Sequence, residues 1–483
     1  MNIYKKKGIT LIEILFFLFL LTVGFAASNY LGKLIGIIGY LFGFPLGIAL
    51  IIISVYVLYK IGDTIGSLKF NRKKQLDKFS KSLHGPEFFL KNKPVKDEGL
   101  HYLLSRTDFP LDEVKSLNLS YSKITDQGLE CLGRFKALEV IYLSDTKITG
   151  YCLHYLDNLK ELKQLNLWGC KKLDNEFIKN ICNHLSLQVL ILGFSNLRNE
   201  GLSKLDNLPN LKKFDIQHCK ITDSGLSNIG RLTTLQKLDL CGNKITGSGL
   251  KYLHPLHGLE RLNLRETLVE NIEDDFQKEL SGLRWLNLRS TKVDDACLRN
   301  IQELSNLEWL NLKHTKITDQ GLSYVNNISS LEQLYLPRQI TGEGLANLNN
   351  LTSLKRLNHK FYCISDDEMK YLSKMVNLSE FKFNLSKITD NGLSHLQECK
   401  KLTALNLYRT KITDRSMQII GQFSQLTTLN LGGTQITPNS IVHLKQLPKL
   451  KKLFLPKTFS KKQKSELKAC ISECDIYICD YQM

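Results

Sequence analysis

Pairs of apolar residues that flank one outward residue recur along most of this chain at a nearly constant interval. The step between successive pairs is 24 residues, except for 25 residues before Leu190 and 23 residues before Leu357. The pairs begin at Leu117, Ile141, Leu165, Leu190, Phe214, Leu238, Leu262, Leu286, Leu310, Leu334, Leu357, Phe381, Leu405, Leu429 and Leu453, except that His359 replaces the second apolar residue after Leu357. A fixed period of this size predicts a solenoid, because each unit is too small to bury its own apolar side chains and must stack on its neighbours.

The segment from Leu307 to Leu322 illustrates what one unit predicts. Leu310 and Leu312 alternate with outward residues, which is the period of a strand with one buried face. Thr318 and Asp319 follow, and both residue types can accept hydrogen bonds from the free backbone N–H groups at a helix start. Each unit therefore predicts a strand, a tight turn and a short helix.

These residues resemble the leucine-rich repeat of the 24-residue bacterial class, L-x-x-L-x-L-x-x-T-x-I-T-D-x-G-L. The string I-T-D-x-G-L recurs at 124–129, 221–226, 317–322 and 388–393. The resemblance covers residues 93–458 and implies an α/β solenoid, an arc of about 15 repeats with parallel strands on the concave face and short helices on the convex face. It also implies protein binding, which is the chief use of this family. Residues 459–483 are expected to form the C-terminal cap or tail.

Two apolar segments precede the repeats, at about 9–30 and 34–59. A bilayer core requires about 20 apolar residues per helix, so we predict a transmembrane helix hairpin within residues 1–60. Basic residues flank the pair on both outer sides, whereas the connecting turn carries Lys33 alone. The positive-inside rule then places both ends in the cytoplasm, with the repeats tethered to the inner membrane. Residues 61–92 are expected to form a basic juxtamembrane linker that is attracted to anionic lipid.

The N-terminus also resembles a type IV prepilin leader and span. Basic residues precede Gly8, and Glu13 stands at the fifth position after it. The resemblance implies cleavage after Gly8 and, as an alternative function, a surface or secretion component that displays the repeats outside the cell. Against assembly into a pilus, a second full-length apolar segment follows the first, and no pilin-like globular head follows it. We therefore favour the cytoplasmic arrangement and retain the prepilin-like component as the alternative.

The net charge of +18 fits an anionic partner or surface, and residues 1–93 contribute half of it, with 13 Lys and Arg against 4 Asp and Glu. The 12 cysteines are spread singly along the chain, so we expect reduced structural thiols, which agrees with a cytoplasmic domain. The cysteines near the C-terminus lack the paired spacing of a zinc site, so no metal site is predicted. The sequence contains no phosphate-binding glycine loop, no nucleophile elbow and no metalloprotease motif. We therefore expect no enzyme activity, no cofactor and no small-molecule substrate.

The residues that alternate with the buried strand positions are expected to point outward in three columns across successive repeats. The first column contains Lys213, Lys237, Arg261, Trp285 and Trp309; the second contains Asp215, Asp239, Asn263, Asn287 and Asn311; the third contains Gln217, Cys241, Arg265, Arg289 and Lys313. Equivalent residues of neighbouring strands lie about 4.8 Å apart, so Trp285 and Trp309 should stack beside Arg261. Exposed Trp and Arg on a concave face are typical of a binding hot spot. The alternative is that the indoles only cover neighbouring repeats and the Asn column pairs with itself.

On this basis we predict a partner-binding face on the concave side. Its residues are Trp168, Lys213, Lys237, Arg261, Arg265, Trp285, Arg289, Trp309 and Lys313. The expected partner is a protein with an acidic and apolar surface. Nucleic acid ranks below it, because charge and stacking side chains are present without a dedicated motif. The predicted function is a membrane-anchored, non-catalytic scaffold for protein binding.

Overall fold

A computed structural model of the chain describes residues 87–89, 95–105, 111–173, 175–181, 184–359 and 364–478. All of them belong to one compact unit, Gly85–Met483. The predicted hairpin within residues 1–60 and the leader residues Gly8 and Glu13 lie outside the described residues. Within the described ranges, no helix has the length and apolar character needed to cross a membrane.

The described strands form one parallel sheet of 17 strands in which each strand pairs with its neighbours in the chain. Strands β1 to β17 are Glu87–Phe89, Ser116–Asn118, Val140–Tyr142, Gln164–Asn166, Val189–Ile191, Lys213–Asp215, Lys237–Asp239, Arg261–Asn263, Trp285–Asn287, Trp309–Asn311, Gln333–Tyr335, Arg356–Asn358, Glu380–Lys382, Ala404–Asn406, Thr428–Asn430, Lys452–Leu455 and Asp475–Ile478. The solenoid with parallel strands is confirmed. The sheet is longer than the apolar pattern predicts, because β1 lies within the predicted linker 61–92 and β17 lies within the predicted tail 459–483.

Short helical segments connect successive strands. The α-helices are Asp97–Leu104, Phe177–Ile181, Asp223–Ile229, Phe276–Glu279, Asp295–Arg299, Leu322–Val325, Asp366–Met369, Asp390–Ser394, Met417–Ile420, Ile441–Leu444 and Lys461–Cys470. The 3₁₀ segments are Leu111–Glu113, Asp126–Arg134, Tyr151–Leu156, Asn199–Asn207, Gly247–Leu253, Glu343–Leu348, Lys370–Leu372, Asp414–Ser416 and Pro438–Ser440. Several predicted helices are thus 3₁₀ turns, which suits connections of only one or two turns.

The core runs along the stack between the strands and the helical segments. In the unit that begins at Leu307, the side chains of Leu310, Leu312, Ile317 and Leu322 are all fully buried, as the alternation predicts. Behind them, a column of small polar groups closes the turns: the hydroxyl of Thr315 donates to the carbonyl of Leu312 at 2.6 Å. The cysteines at this position instead bond to the preceding repeat, because the Cys170 thiol donates to the carbonyl of Leu143 at 3.2 Å.

The recurring Asp and Gly of the I-T-D-x-G-L string form a contact between neighbouring repeats. Thr389, Thr413 and Thr437 cap the helical segments of their own repeats, as predicted. The side chains of Thr318 and Asp319 do not cap theirs. Instead, Asp319 accepts hydrogen bonds from the next repeat, at 2.9 Å from the backbone N–H of Thr341 and at 2.6 Å from its hydroxyl. A Cβ at Gly344 would lie 2.2 Å from Asp319 Oδ1, so the glycine leaves room for this carboxylate. The motif therefore stabilises the stacking of one repeat on the next.

Candidate functional site

The second outward column sets the backbone of the third. Asn287 Oδ1 accepts a hydrogen bond from the N–H of Arg289 at 3.1 Å, and Asn311 Oδ1 accepts one from the N–H of Lys313 at 3.1 Å. Both asparagines are buried, as expected for side chains that satisfy backbone donors. The second column pairs with itself one repeat earlier, where Asn263 Nδ2 donates to Asp239 Oδ2 at 2.9 Å; among the described residues, no such bond joins Asn287 to Asn311. Each of these two asparagines fixes the backbone of the residue two positions later, which is the cation of the third column.

A left-handed residue follows the third column in most described repeats, and we call its place the fourth position. The backbone φ angle is 49° at His218, 57° at Glu266, 58° at Ser290 and 59° at His314. Left-handed backbone normally favours glycine or asparagine. Because residues other than glycine occupy the fourth position here, the hydrogen bonds between stacked turns must offset the local backbone strain.

The tryptophans of the first column form a stacked pair on neighbouring strands. Trp285 on β9 and Trp309 on β10 are direct register partners. Their ring centroids are 4.2 Å apart, the ring planes meet at 13°, and both side chains are partly exposed. Arg261 lies over the Trp285 ring at 4.7 Å, and Tyr335 continues the row at 5.1 Å from Trp309. The expected row is present, and Tyr335 of the second column, whose register partner is Asn311, adds one aromatic ring to it.

The cations near this aromatic row differ in their contacts. Arg265 is paired, because its Nη2 donates to Glu266 Oε1 at 2.7 Å. Arg289 is different: its Nε is buried and has no hydrogen-bond partner in the described part of the chain. A buried donor without a partner is energetically costly. Lys313 lies near the Tyr335 ring, with Nζ 5.6 Å from the centroid.

The first half of the predicted face has mixed charge. Lys213 and Lys237 pair in register on β6 and β7, and Asp215 and Asp239 pair beside them. Burial, and then the neighbouring charge of Asp239, raise the pKa of Asp215 to about 6. Acidic groups therefore offset the lysines on β6 and β7, whereas cations and aromatic rings dominate from β8 to β11.

Trp168 belongs to a separate aromatic group. Its ring centroid lies 4.9 Å from that of Phe194, which in turn lies 4.4 Å from that of His218. Trp168 is five strands away from Trp285 along the sheet. Trp168 therefore lies apart from the row of Arg261, Trp285 and Trp309, and Lys213 and Lys237 lie on β6 and β7 between the two aromatic groups. Phe194 and Tyr335 were missed, although extending the columns in both directions would have found Tyr335.

Comparison with known families gives a consistent result. Family models described as "Leucine rich repeat" match residues 233–293 and 257–317, and a second such model matches residues 114–133 and 207–230. A comparison with curated proteins gave no match.

Solved structures share the fold. An internalin from Listeria monocytogenes is 22% identical with a TM-score of 0.52, and the match covers 69% of this chain and 93% of that one. A leucine-rich repeat protein from Leptospira interrogans is also 22% identical with a TM-score of 0.53, and the match covers 79% of this chain and 99% of that one. At this level of identity the likeness concerns the fold alone. Together with the family models and the parallel stacked strands, it supports leucine-rich repeats over the matched residues 114–133, 207–230 and 233–317.

Proposed function

We propose that the protein is a non-catalytic scaffold that binds another protein on the concave face, between β8 and β11. The observation that carries this proposal is the pair of partly exposed indoles, stacked at 4.2 Å, with Arg261 over the Trp285 ring. Tryptophan and arginine supply most of the energy in many protein interfaces, because they combine a large apolar area with directional hydrogen bonds.

The chemistry of this surface specifies the partner. The row of Trp285, Trp309 and Tyr335 offers an apolar platform, and Arg261 over the Trp285 ring and Lys313 near the Tyr335 ring add positive charge. A segment with one aromatic or aliphatic anchor between acidic residues would satisfy both. Nucleic acid fits less well, because Asp215, Asp239 and Glu266 lie on the same face and would repel a continuous phosphate backbone.

Selection from a random peptide library on the purified full-length protein tests this proposal. We expect enriched peptides with an apolar anchor between Asp or Glu residues. Changing Trp285 and Trp309 together to Ala should weaken the selected peptide at least about 30-fold, since truncating a hot-spot residue commonly costs 2 kcal/mol or more. The matched control is Tyr142→Ala, which removes a partly exposed aromatic side chain from the second column of β3.

Two controls make the result decisive. The double variant should keep the thermal midpoint of the parent within a few degrees, because its side chains lie on the partly exposed face. A peptide in which Lys replaces the acidic residues should lose binding to the parent protein. Selected peptides without acidic residues, or equal binding by the double variant and Tyr142→Ala, would disprove the assignment of this face.

We also propose that the apolar segments at about 9–30 and 34–59 anchor the scaffold in the inner membrane, with the repeats in the cytoplasm. The asymmetry of basic residues around the two segments supports this orientation. Reporters fused to the C-terminus provide the test: an enzyme active only in the cytoplasm should work, and one active only outside it should not. The reverse result would favour the prepilin-like component cleaved after Gly8.

A further inference from the structure

Three side chains able to bind a metal ion converge at the carboxyl ends of β6, β7 and β8. His218 Nε2 lies 3.9 Å from Cys241 Sγ and 3.8 Å from Glu266 Oε2. All three potential ligand atoms lie within 4.8 Å of one another. In tetrahedral zinc sites, metal–ligand distances of 2.0–2.3 Å place neighbouring ligand atoms about 3.5 Å apart. The observed separations therefore require side-chain movements of only a few tenths of an ångström for the two closer pairs.

The repeat architecture produces this convergence. His218, Gly242 and Glu266 occupy the fourth position of three successive repeats, and all three have left-handed backbone, with φ angles of 49°, 70° and 57°. Gly242 lacks a side chain, and a Cβ there would lie 2.2 Å from His218 Nδ1. The imidazole can therefore extend across the middle repeat towards Glu266. Cys241, in the third column of that middle repeat, adds a buried thiol to the same point.

The surroundings orient the ligands and favour a cation. Arg265 binds one oxygen of Glu266, through Nε at 3.0 Å and Nη2 at 2.7 Å from Oε1, and so leaves Oε2 towards His218. Such a second contact to a carboxylate fixes the direction in which it can bind a metal. The side chains of His218 and Glu266 are 35% and 37% exposed, so an ion can reach them from solvent. The nearby carboxylates of Asp215 and Asp239 contribute negative charge around Cys241.

We propose that His218, Cys241 and Glu266 form a site for a borderline transition-metal ion, with Zn²⁺ as the ion that best fits the donor set. The combination of imidazole, thiolate and carboxylate suits zinc better than calcium or magnesium, which prefer oxygen ligands alone. Three protein ligands leave the fourth tetrahedral position open towards the concave face, for water or a donor from a bound molecule. Binding would release the thiol proton of Cys241, since the thiolate is the ligand. None of the three ligands belongs to the proposed peptide-binding row of Trp285, Trp309 and Tyr335.

Cobalt titration of the full-length, tag-free protein, reduced and freed of metal by a chelator, tests the site. Co²⁺ should bind with a stoichiometry of one per chain and give the charge-transfer absorption of a cobalt–thiolate bond, and Zn²⁺ should remove this absorption by displacement. Cys241→Ser should abolish the absorption. His218→Ala and Glu266→Gln should each weaken Zn²⁺ binding at least tenfold, measured by calorimetry.

Matched controls separate this site from general binding to histidine or thiol groups. His314→Ala removes an exposed imidazole at the same fourth position of a later repeat, and Cys470→Ser removes an exposed thiol. Both variants should bind cobalt and zinc like the parent. Zn²⁺ should also raise the melting temperature of the parent and of both controls, but not of Cys241→Ser. Absence of stoichiometric uptake, or a charge-transfer band that survives in Cys241→Ser, would overturn the proposal.

Discussion

Asp223 provides the most direct test of how the repeats are held together. Its Oδ1 accepts a hydrogen bond from the backbone N–H of Thr246 at 2.8 Å, and its Oδ2 accepts one from the Thr246 hydroxyl at 2.5 Å. Thr246 belongs to the next repeat, and Gly249 in that repeat leaves room for the carboxylate, because a Cβ there would lie 2.3 Å from Asp223 Oδ1. Replacing Asp223 by Ala removes both contacts from a partly buried place.

The expected loss follows from these two contacts. A hydrogen bond to a charged group contributes about 1.5–3 kcal/mol, and two bonds that share one carboxylate are not fully additive. We therefore expect Asp223→Ala to lower the free energy of unfolding by about 2–4 kcal/mol. Asp223→Asn should cost about 1 kcal/mol or less. The preceding repeat shows why: Asn199 Oδ1 accepts from the N–H of Thr222 at 3.0 Å, and Asn199 Nδ2 donates to the Thr222 hydroxyl at 2.8 Å.

Urea denaturation of the full-length variants, followed by circular dichroism, measures this difference. Because each repeat contacts only its neighbours, weakening one interface can also split the transition into two steps, and such a split in Asp223→Ala alone would agree with the reasoning. Asp274→Ala serves as the control, since that carboxylate is 83% exposed and approaches only Arg299, at 4.0 Å. The reasoning fails if Asp223→Ala is as stable as the control, or if Asn is as harmful as Ala.

Two further predictions concern titratable groups. Burial and the charge of Asp239 raise the pKa of Asp215 from 3.8 to about 6, so the folded chain holds this proton more tightly than the unfolded chain does. The associated stability, at most about 3 kcal/mol, is therefore lost as the pH rises from about 4 through 6. Asp215→Asn, with a chelator present, should therefore raise the melting temperature at neutral pH and leave it unchanged below about pH 4; an equal effect at both would contradict this cause. Burial raises the pKa of the Cys131 and Cys399 thiols to about 11, so alkylation of the native protein followed by mass spectrometry should modify the exposed Cys470 well before these two.

The strands and the stacked indoles were predictable because each depends on a local period. Alternation around Leu310 identifies its buried face, and a step of 24 residues places Trp285 beside Trp309 without further information. The partners of Asp319 and Asn287 were not predictable in this way. A carboxylate before a short helix is ordinarily a cap, and only the distance between stacked repeats shows that the Thr of the following repeat is closer. The recurrence of Asp two residues before Gly was the signal available in the sequence.

The difference between residues that hold the repeats together and residues that point outward explains where function can reside in this fold. Buried leucines, the Asp–Thr contacts and the Asn column fix the backbone so firmly that the outward side chains of each repeat can vary without loss of register. Residues that depart from their column are therefore not required by stacking. Trp285 and Trp309 follow three cations in the first column, and Cys241 precedes three cations in the third. We propose binding as the role of both, by the indoles for an apolar anchor and by the thiol for a metal ion.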